Sequence, residues 1–214
     1  MKKIIAKLIN MLRYDTAPTL NNYSHLAEYI EKQSSFVSQV TLYEYVKTRA
    51  GTQWPKLFEN DEYLTSLKIA RWHIFSACVA DLSLFAAAQF YKSGDADTKS
   101  CAKLAHKTIA TILNGIEQED IETSVFHMMI KNSQKRCKDA DYADIATGDA
   151  AFQTSAQALL DWAPIIDDFK RNDALIARNS IHLRWIGVRR DLTKGLQTDN
   201  VLADFTALSD SPMR

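Results

Sequence analysis

Glycine and proline are scarce in this sequence. Its 214 residues contain six glycines and four prolines. Because these two residue types interrupt helices and form turns, their scarcity favours long uninterrupted elements. Apolar residues recur at helical spacing along most of the chain, whereas no useful length of sequence alternates as a β-strand does. The pattern predicts an all-α, single-domain helical bundle of six or seven helices.

Cysteine is scarce as well, and the spacing of the three cysteines argues against both a disulfide framework and a zinc site. Cys78, Cys101 and Cys137 are odd in number and far apart. Neither a disulfide framework nor a zinc site is built from such a set, which fits a reducing compartment. Lys7 and Asn10 interrupt the apolar residues near the N-terminus, so no secretory signal is expected. We predict a cytoplasmic protein. Peripheral attachment to the inner face of the membrane is compatible with this prediction.

Net charge and catalytic signatures are also lacking. Lys plus Arg and Asp plus Glu each number 26, so the formal net charge is zero and gives no overall attraction to nucleic acid. No P-loop, GxGxxG, kinase or GxSxG motif occurs. A di-iron bundle needs paired Glu-x-x-His motifs, and His25 with Glu28 gives one copy in reverse order. We therefore expect no metal, no cofactor and no nucleic-acid partner.

Four segments follow from the distribution of apolar and polar residues. The sequence predicts a short amphipathic basic helix, a linker around Pro18, a helical domain, and a C-terminal tail that holds one short helix. Their boundaries are 1–14, 15–22, 23–195 and 196–214.

One stretch is apolar enough to raise the question of a membrane span. "IARWHIFSACVADLSLFAAAQFY" covers residues 69–91 and has the length of a span, but it includes Arg71, His73 and Asp81. A central Asp costs about 2.5–3.5 kcal/mol on insertion scales. The stretch is therefore predicted to be the central core helix of the bundle, at about residues 61–92.

A buried Asp81 needs a partner for its charge. Arginine pairs well with a carboxylate because its planar donors bind in a bidentate manner. The last long helix is expected at about residues 173–194, and it offers Arg189, with Arg178 and Arg184 as alternatives. Its apolar stripe would face the core, and consists of Ile181, Trp185, Val188 and Leu192.

The same residues support a second interpretation, which is a ligand pocket between the two helices. A histidine would act as a base and an arginine would hold an anionic group. The protein would then be a small, hydrolase-like enzyme or a binder of anionic ligands. The candidate lining residues are His73, Asp81, Arg178, His182 and Arg189.

Two segments are candidates for contact with a partner. The N-terminal helix has four basic residues and no acid, with an apolar face on one side. Three binding sites for this helix remain open, which are its own domain, an anionic membrane and a groove of another protein. The aromatic and basic segment "TLYEYVKTRAGTQWPKLF" either binds a partner or packs inward. The contact candidates are Lys2, Lys3, Ile5, Lys7, Leu8 and Leu12, together with Tyr43, Tyr45, Arg49 and Trp54.

These features favour a non-catalytic protein over an enzyme. We expect an adaptor, an assembly factor or an accessory subunit that acts through protein–protein contacts. Its partner would be another protein or a larger complex, and the membrane surface is a further candidate location.

Overall fold

The computed structural model describes residues 18–116, 123–148 and 150–210. Within these ranges the chain is all-α, without a β-strand, which confirms the predicted fold class. Seven of the helices described are ten residues or longer. The helices are α1 (Tyr23–Ala50), α2 (Trp54–Leu57), α3 (Asp61–Ser93), α4 (Thr98–Asn114), α5 (Thr123–Asp139), α6 (Tyr142–Thr147), α7 (Gln153–Trp162), α8 (Asp167–Gly195) and α9 (Thr198–Asp210).

Helix α3 is the central helix of the bundle, as the sequence predicts. It begins where the Asn60 side chain accepts a hydrogen bond from the Tyr63 N–H, at 2.8 Å. It ends at Gly94, whose φ of 85° lies in the left-handed region that glycine adopts without strain. Between these caps, α3 packs against α1, α4, α6 and α7.

Length and composition alone would let α3 cross a membrane, and it is the one such helix in the part of the chain that the structure describes. However, 89% of its most apolar window is buried among the other helices. The apolar character of α3 is therefore used in the core of the bundle, where neighbours cover nearly all of its sides.

Both ends of the described chain are attached to the bundle. Leu20 forms two backbone hydrogen bonds at the C-terminal end of α8. Its N–H donates to the Gly195 carbonyl at 2.9 Å, and its carbonyl accepts from the Gln197 N–H at 3.0 Å. The Tyr23 N–H donates to the Asp204 carboxylate of α9, at 2.9 Å. Residues 18–22 and 198–210, expected as linker and tail, thus pack on the domain, whereas the amphipathic helix expected at 1–14 lies outside the described residues.

Helix α8 is longer than the sequence indicated, since it starts at Asp167 and not near Asp173. Asp167 and Asp168 occupy its first turn, where negative charge is favourable to the helix dipole. The apolar stripe expected to face the core is buried and packs toward α1, α3 and α7. It comprises Ile181, Trp185, Val188 and Leu192.

Candidate functional site

Asp81 is completely buried on α3, and its partner is not the one expected. Arg136 of α5 donates from Nη2 to Asp81 Oδ1 at 2.5 Å, and also to the Ala151 carbonyl at 3.2 Å. The Ser155 backbone N–H, at the start of α7, donates to Asp81 Oδ2 at 2.7 Å. The prediction of Arg189 as the partner was therefore wrong. Helix α5, rather than α8, brings its arginine to this face of α3.

Helix α8 still reaches this network, through an aromatic residue. The Trp185 Nε1–H of α8 donates to the Ser155 hydroxyl at 3.2 Å. Burial raises the pKa of the Asp81 carboxyl, while the Arg136 guanidinium and the bonds from Ser155 act in the opposite direction. Because both carboxylate oxygens already accept hydrogen bonds, the arrangement is that of a structural ion pair inside the core.

His73 is engaged by packing as well. Its ring stacks on Trp162 of α7, with the ring centroids 3.3 Å apart and the planes within 4°. Burial lowers the pKa of His73 to about 4, so the imidazole is neutral at pH 7. A stacked imidazole with a lowered pKa is a weaker base than a free imidazole.

A cavity of about 280 Å³ lies between α8 and the turn that joins α6 to α7. Of the residues predicted to line a pocket, His182 and Arg189 do so, but His73, Asp81 and Arg178 do not. The Arg178 side chain instead donates to Gln157 Oε1 at 3.0 Å. The lining consists of Gly148, Phe152, Asn179, His182, Leu183, Trp185, Ile186 and Arg189.

The guanidinium of Arg189 is held in a defined place at this cavity. It lies over the Phe152 ring, 5.7 Å from the centroid, in a cation–π contact. Gly148 leaves the space that the guanidinium occupies, because a Cβ there would lie 2.9 Å from Arg189 Cζ and closer still to Nη1. The φ of Gly148 is +111°, which also favours glycine.

The outward side of α8 carries large apolar side chains that remain 44–71% exposed, and the Arg49 guanidinium of α1 lies over one of them, Phe169. At 100° per residue they span an arc of roughly 120°, centred almost opposite the buried face. Leu175, Ile176 and Leu183 are 71%, 68% and 67% exposed. We call this set the outer stripe, and it comprises Phe169, Leu175, Ile176, Leu183 and Ile186. Exposed apolar side chains gathered on one side of a helix commonly mark a site of interaction.

The sequence reasoning missed the outer stripe, although a signal was present. Phe169, Ile176 and Leu183 follow one another at intervals of seven residues, which places them on one side of a helix. The start predicted at Asp173 excluded Phe169 from the helix.

The aromatic and basic segment at the end of α1 makes contacts within the chain. Arg49 forms an ion pair with Asp173 of α8, a second buried carboxylate that the sequence did not single out. The Tyr45 hydroxyl donates to the same carboxylate at 3.3 Å. This part of the segment joins α1 to α8.

The two remaining contact candidates of that segment, Tyr43 and Trp54, belong to an aromatic cluster around Phe58. The rings of Tyr43 and Trp54 lie 5.9 Å and 5.7 Å from the Phe58 ring, measured between centroids. Tyr43 remains exposed on its outer side. The six contact candidates between Lys2 and Leu12 lie outside the described residues.

Comparisons of the chain with protein-family models, with curated proteins and with solved structures found no match.

Proposed function

We propose that this protein is a non-catalytic helical accessory protein that attaches peripherally to an anionic membrane surface through the outer stripe of α8. The exposure of the outer stripe is the observation that carries the proposal. The stripe extends from Phe169 to Ile186, which is about 26 Å at 1.5 Å per residue. A helix that lies in the membrane interface presents an apolar face of this form.

The excess of basic over acidic residues on α8 favours an anionic bilayer as the surface that covers the stripe. Ion pairs within the protein already engage four of the basic residues, which are Lys170, Arg171, Arg184 and Arg190. Residues 167–195 contain seven Lys or Arg and four Asp. One of the four, Asp173, is buried against α1 and does not contribute to the surface. Basic residues beside an apolar face are typical of interfacial helices, because they pair with anionic headgroups while the apolar side chains enter the bilayer.

The N-terminal sequence offers a second attachment. Its predicted basic amphipathic helix ends shortly before Pro18, and Pro18 lies against Gly195 at the C-terminal end of α8. A short amphipathic helix alone binds membranes weakly and reversibly. Two weak attachments on one molecule act together, because binding of the first raises the effective concentration of the second.

The polar groups of the core support a non-catalytic role. Both oxygens of Asp81 accept hydrogen bonds within the core, from Arg136 and Ser155. His73 is neutral and stacked on Trp162. Asp81 and His73, two of the residues predicted to line an enzymatic pocket between α3 and α8, are therefore engaged in contacts that hold the helices together. His182, the other candidate base, lines the surface cavity.

Co-sedimentation with vesicles tests the proposal. The full chain is mixed with phosphatidylcholine vesicles that contain or lack phosphatidylglycerol. We expect binding to the anionic vesicles, and at least tenfold weaker binding for the double variant Ile176→Glu/Leu183→Glu. Each apolar side chain contributes about 1.5–3 kcal/mol on burial, and 1.4 kcal/mol corresponds to a factor of ten.

The matched control places the same charges on other helices. Met128 and Leu208 are 58% and 57% exposed, on α5 and α9. Met128→Glu/Leu208→Glu should bind like the unaltered protein. Equal losses in the two double variants would refute a specific role for the outer stripe. A dimer that dissociates only in the Ile176→Glu/Leu183→Glu variant would identify a second copy of the chain as the occupant.

A further inference from the structure

The cavity beside Arg189 borders the outer stripe directly. Leu183 and Ile186 belong to both, since they line the cavity and are also exposed on the outward side of α8. A bilayer in contact with the stripe would therefore bring its headgroups to the mouth of the cavity. We propose that the cavity binds the phosphate of a lipid headgroup, an inference that rests on the membrane attachment proposed above.

Three polar side chains of the lining are suited to an anion. Asn179, His182 and Arg189 project from one side of α8, at positions related by helical spacing. An amide, an imidazole and a guanidinium all supply N–H donors, and a guanidinium has five. Arg189 can therefore keep a contact with the protein and still donate to a phosphate oxygen. None of the described residues in the lining is acidic.

The cavity is arranged before any ligand arrives. Gly148 provides the space for the Arg189 guanidinium, and the Phe152 ring packs against it in the cation–π contact. Its volume of about 280 Å³ lies at or below the lower end of the roughly 300–1,000 Å³ typical of pockets for drug-sized ligands, so it suits a small group. Pre-positioned donors bind an anion more tightly than mobile ones, because less side-chain entropy is lost.

The lining favours a phosphate monoester over a headgroup that ends in a cation. A choline or ethanolamine group would approach a cavity in which Arg189 already covers the face of Phe152. Repulsion between the two cations disfavours such headgroups. A terminal phosphate presents only negative oxygens to Asn179, His182 and Arg189.

Vesicles with matched surface charge test the assignment. One set carries phosphatidic acid in phosphatidylcholine, and the other carries cholesteryl hemisuccinate, a carboxylate, at the same zeta potential. We expect the full chain to prefer phosphatidic acid by about tenfold, the value of one charge-assisted hydrogen bond. Arg189→Gln should abolish the preference while binding to the carboxylate vesicles stays within a few-fold.

Arg178→Gln is the matched control, since it removes the same charge from the same helix. Arg178 bonds to Gln157 and does not line the cavity, so its variant should keep the preference. If both variants lose the preference equally, or the unaltered protein has none, the phosphate site is refuted. If Ile176→Glu/Leu183→Glu loses vesicle binding while this preference is absent throughout, the membrane proposal stands without the site.

A glycine variant tests the cavity without a change of charge. Gly148→Ala introduces a Cβ into the space of the Arg189 guanidinium and should reduce the preference for phosphatidic acid. Gly94→Ala is its control, because Gly94 also has positive φ but nothing lies within 4 Å of its added Cβ. Equal preferences in the two alanine variants would contradict the role of the Gly148 space.

Titration with inorganic phosphate distinguishes a lipid headgroup from a free phosphate ion as the ligand of the cavity. In heteronuclear NMR of the full chain, saturable shifts at Gly148 and His182, absent in Arg189→Gln, would support a phosphate site. Without any preference for phosphatidic acid vesicles, the same shifts would assign the site to a free phosphate and overturn the lipid headgroup. No shifts at millimolar phosphate, together with no vesicle preference, would refute both.

Discussion

Arg136 donates to the carboxylate of Asp81 across 55 positions of sequence, with Nη2 2.5 Å from Oδ1. The pair links α5 to the central helix at a point where the Ser155 N–H of α7 also bonds to the carboxylate. Three helices are therefore fixed relative to one another by a single buried side chain. We expect the stability of the bundle to depend on that charge more than on any surface ion pair.

Asp81→Asn should destabilise the protein by about 3 kcal/mol. Removing one member of a buried ion pair typically costs about 3–5 kcal/mol, and the partial exposure of Arg136 places this pair at the lower end. Urea unfolding measures the change. Asp168→Asn is the control, because its ion pair with Arg171 is exposed on both sides and is worth about 0–1 kcal/mol. Similar losses in the two variants would contradict a special role for Asp81.

His73 should make the stability of the protein fall as the pH falls from about 6.5 to about 4. Its folded-state pKa of about 4 lies below the ordinary value of about 6.5, so the unfolded state takes up the proton first. The contribution is therefore complete above pH 6.5 and is lost toward pH 4. His73→Phe keeps a ring against Trp162 and should show a shallower decline in the urea midpoint.

The exposed His127 provides the comparison for this pH dependence. His127→Gln should follow the curve of the unaltered protein across the same range, because substitutions at exposed positions change stability little. If the curves of His73→Phe and the unaltered protein run parallel, the stacked histidine is not a source of the pH dependence.

Gly195→Ala should detach residues 18–22 from the end of α8. An added Cβ would lie 2.9 Å from the Pro18 carbonyl carbon and closer still to its oxygen, so the backbone of one segment must move. The loss of the Leu20 bonds to Gly195 and Gln197 should cost about 1–3 kcal/mol at roughly 0.5–1.5 kcal/mol each. Hydrogen exchange at the amides of Leu20 and Gln197 reports the detachment directly.

Gly187→Ala is the matched change within the same helix. Nothing lies within 4 Å of a Cβ added at Gly187. Alanine should therefore stabilise α8 by up to about 1 kcal/mol, through its higher helix propensity. An equal and favourable effect of both substitutions would mean that Pro18 does not restrict position 195.

The fold was predictable from local signals. Asn60 and Gly94 bracket an apolar stretch that contains no proline, and the structure places the ends of α3 at these residues. The inward stripe of α8, around Trp185, followed from helical spacing in the same way. Such predictions succeed because caps and periodicity act within a few residues of the chain.

The partner of Asp81 was not predictable, because it depends on which helices meet. Arg136 sits in the basic last turn of α5, where a cation is expected to face solvent and the helix dipole. The sequence contains no signal that the turn before α7 brings the Ala151 carbonyl to Arg136, or that the first turn of α7 brings the Ser155 N–H to Asp81. Arg189, on an apparent inward face, was the better candidate from spacing alone, and it lies instead at a surface cavity.

The depth of a spin label on α8 tests the membrane attachment most directly. The native cysteines are all buried, so a nitroxide can be placed at Ile176→Cys, with Met128→Cys on α5 as the reference. With phosphatidylglycerol vesicles, the label at position 176 should become accessible to oxygen and protected from a water-soluble nickel complex, while the label at 128 stays aqueous. Equal accessibility to the nickel complex at both positions would contradict the account.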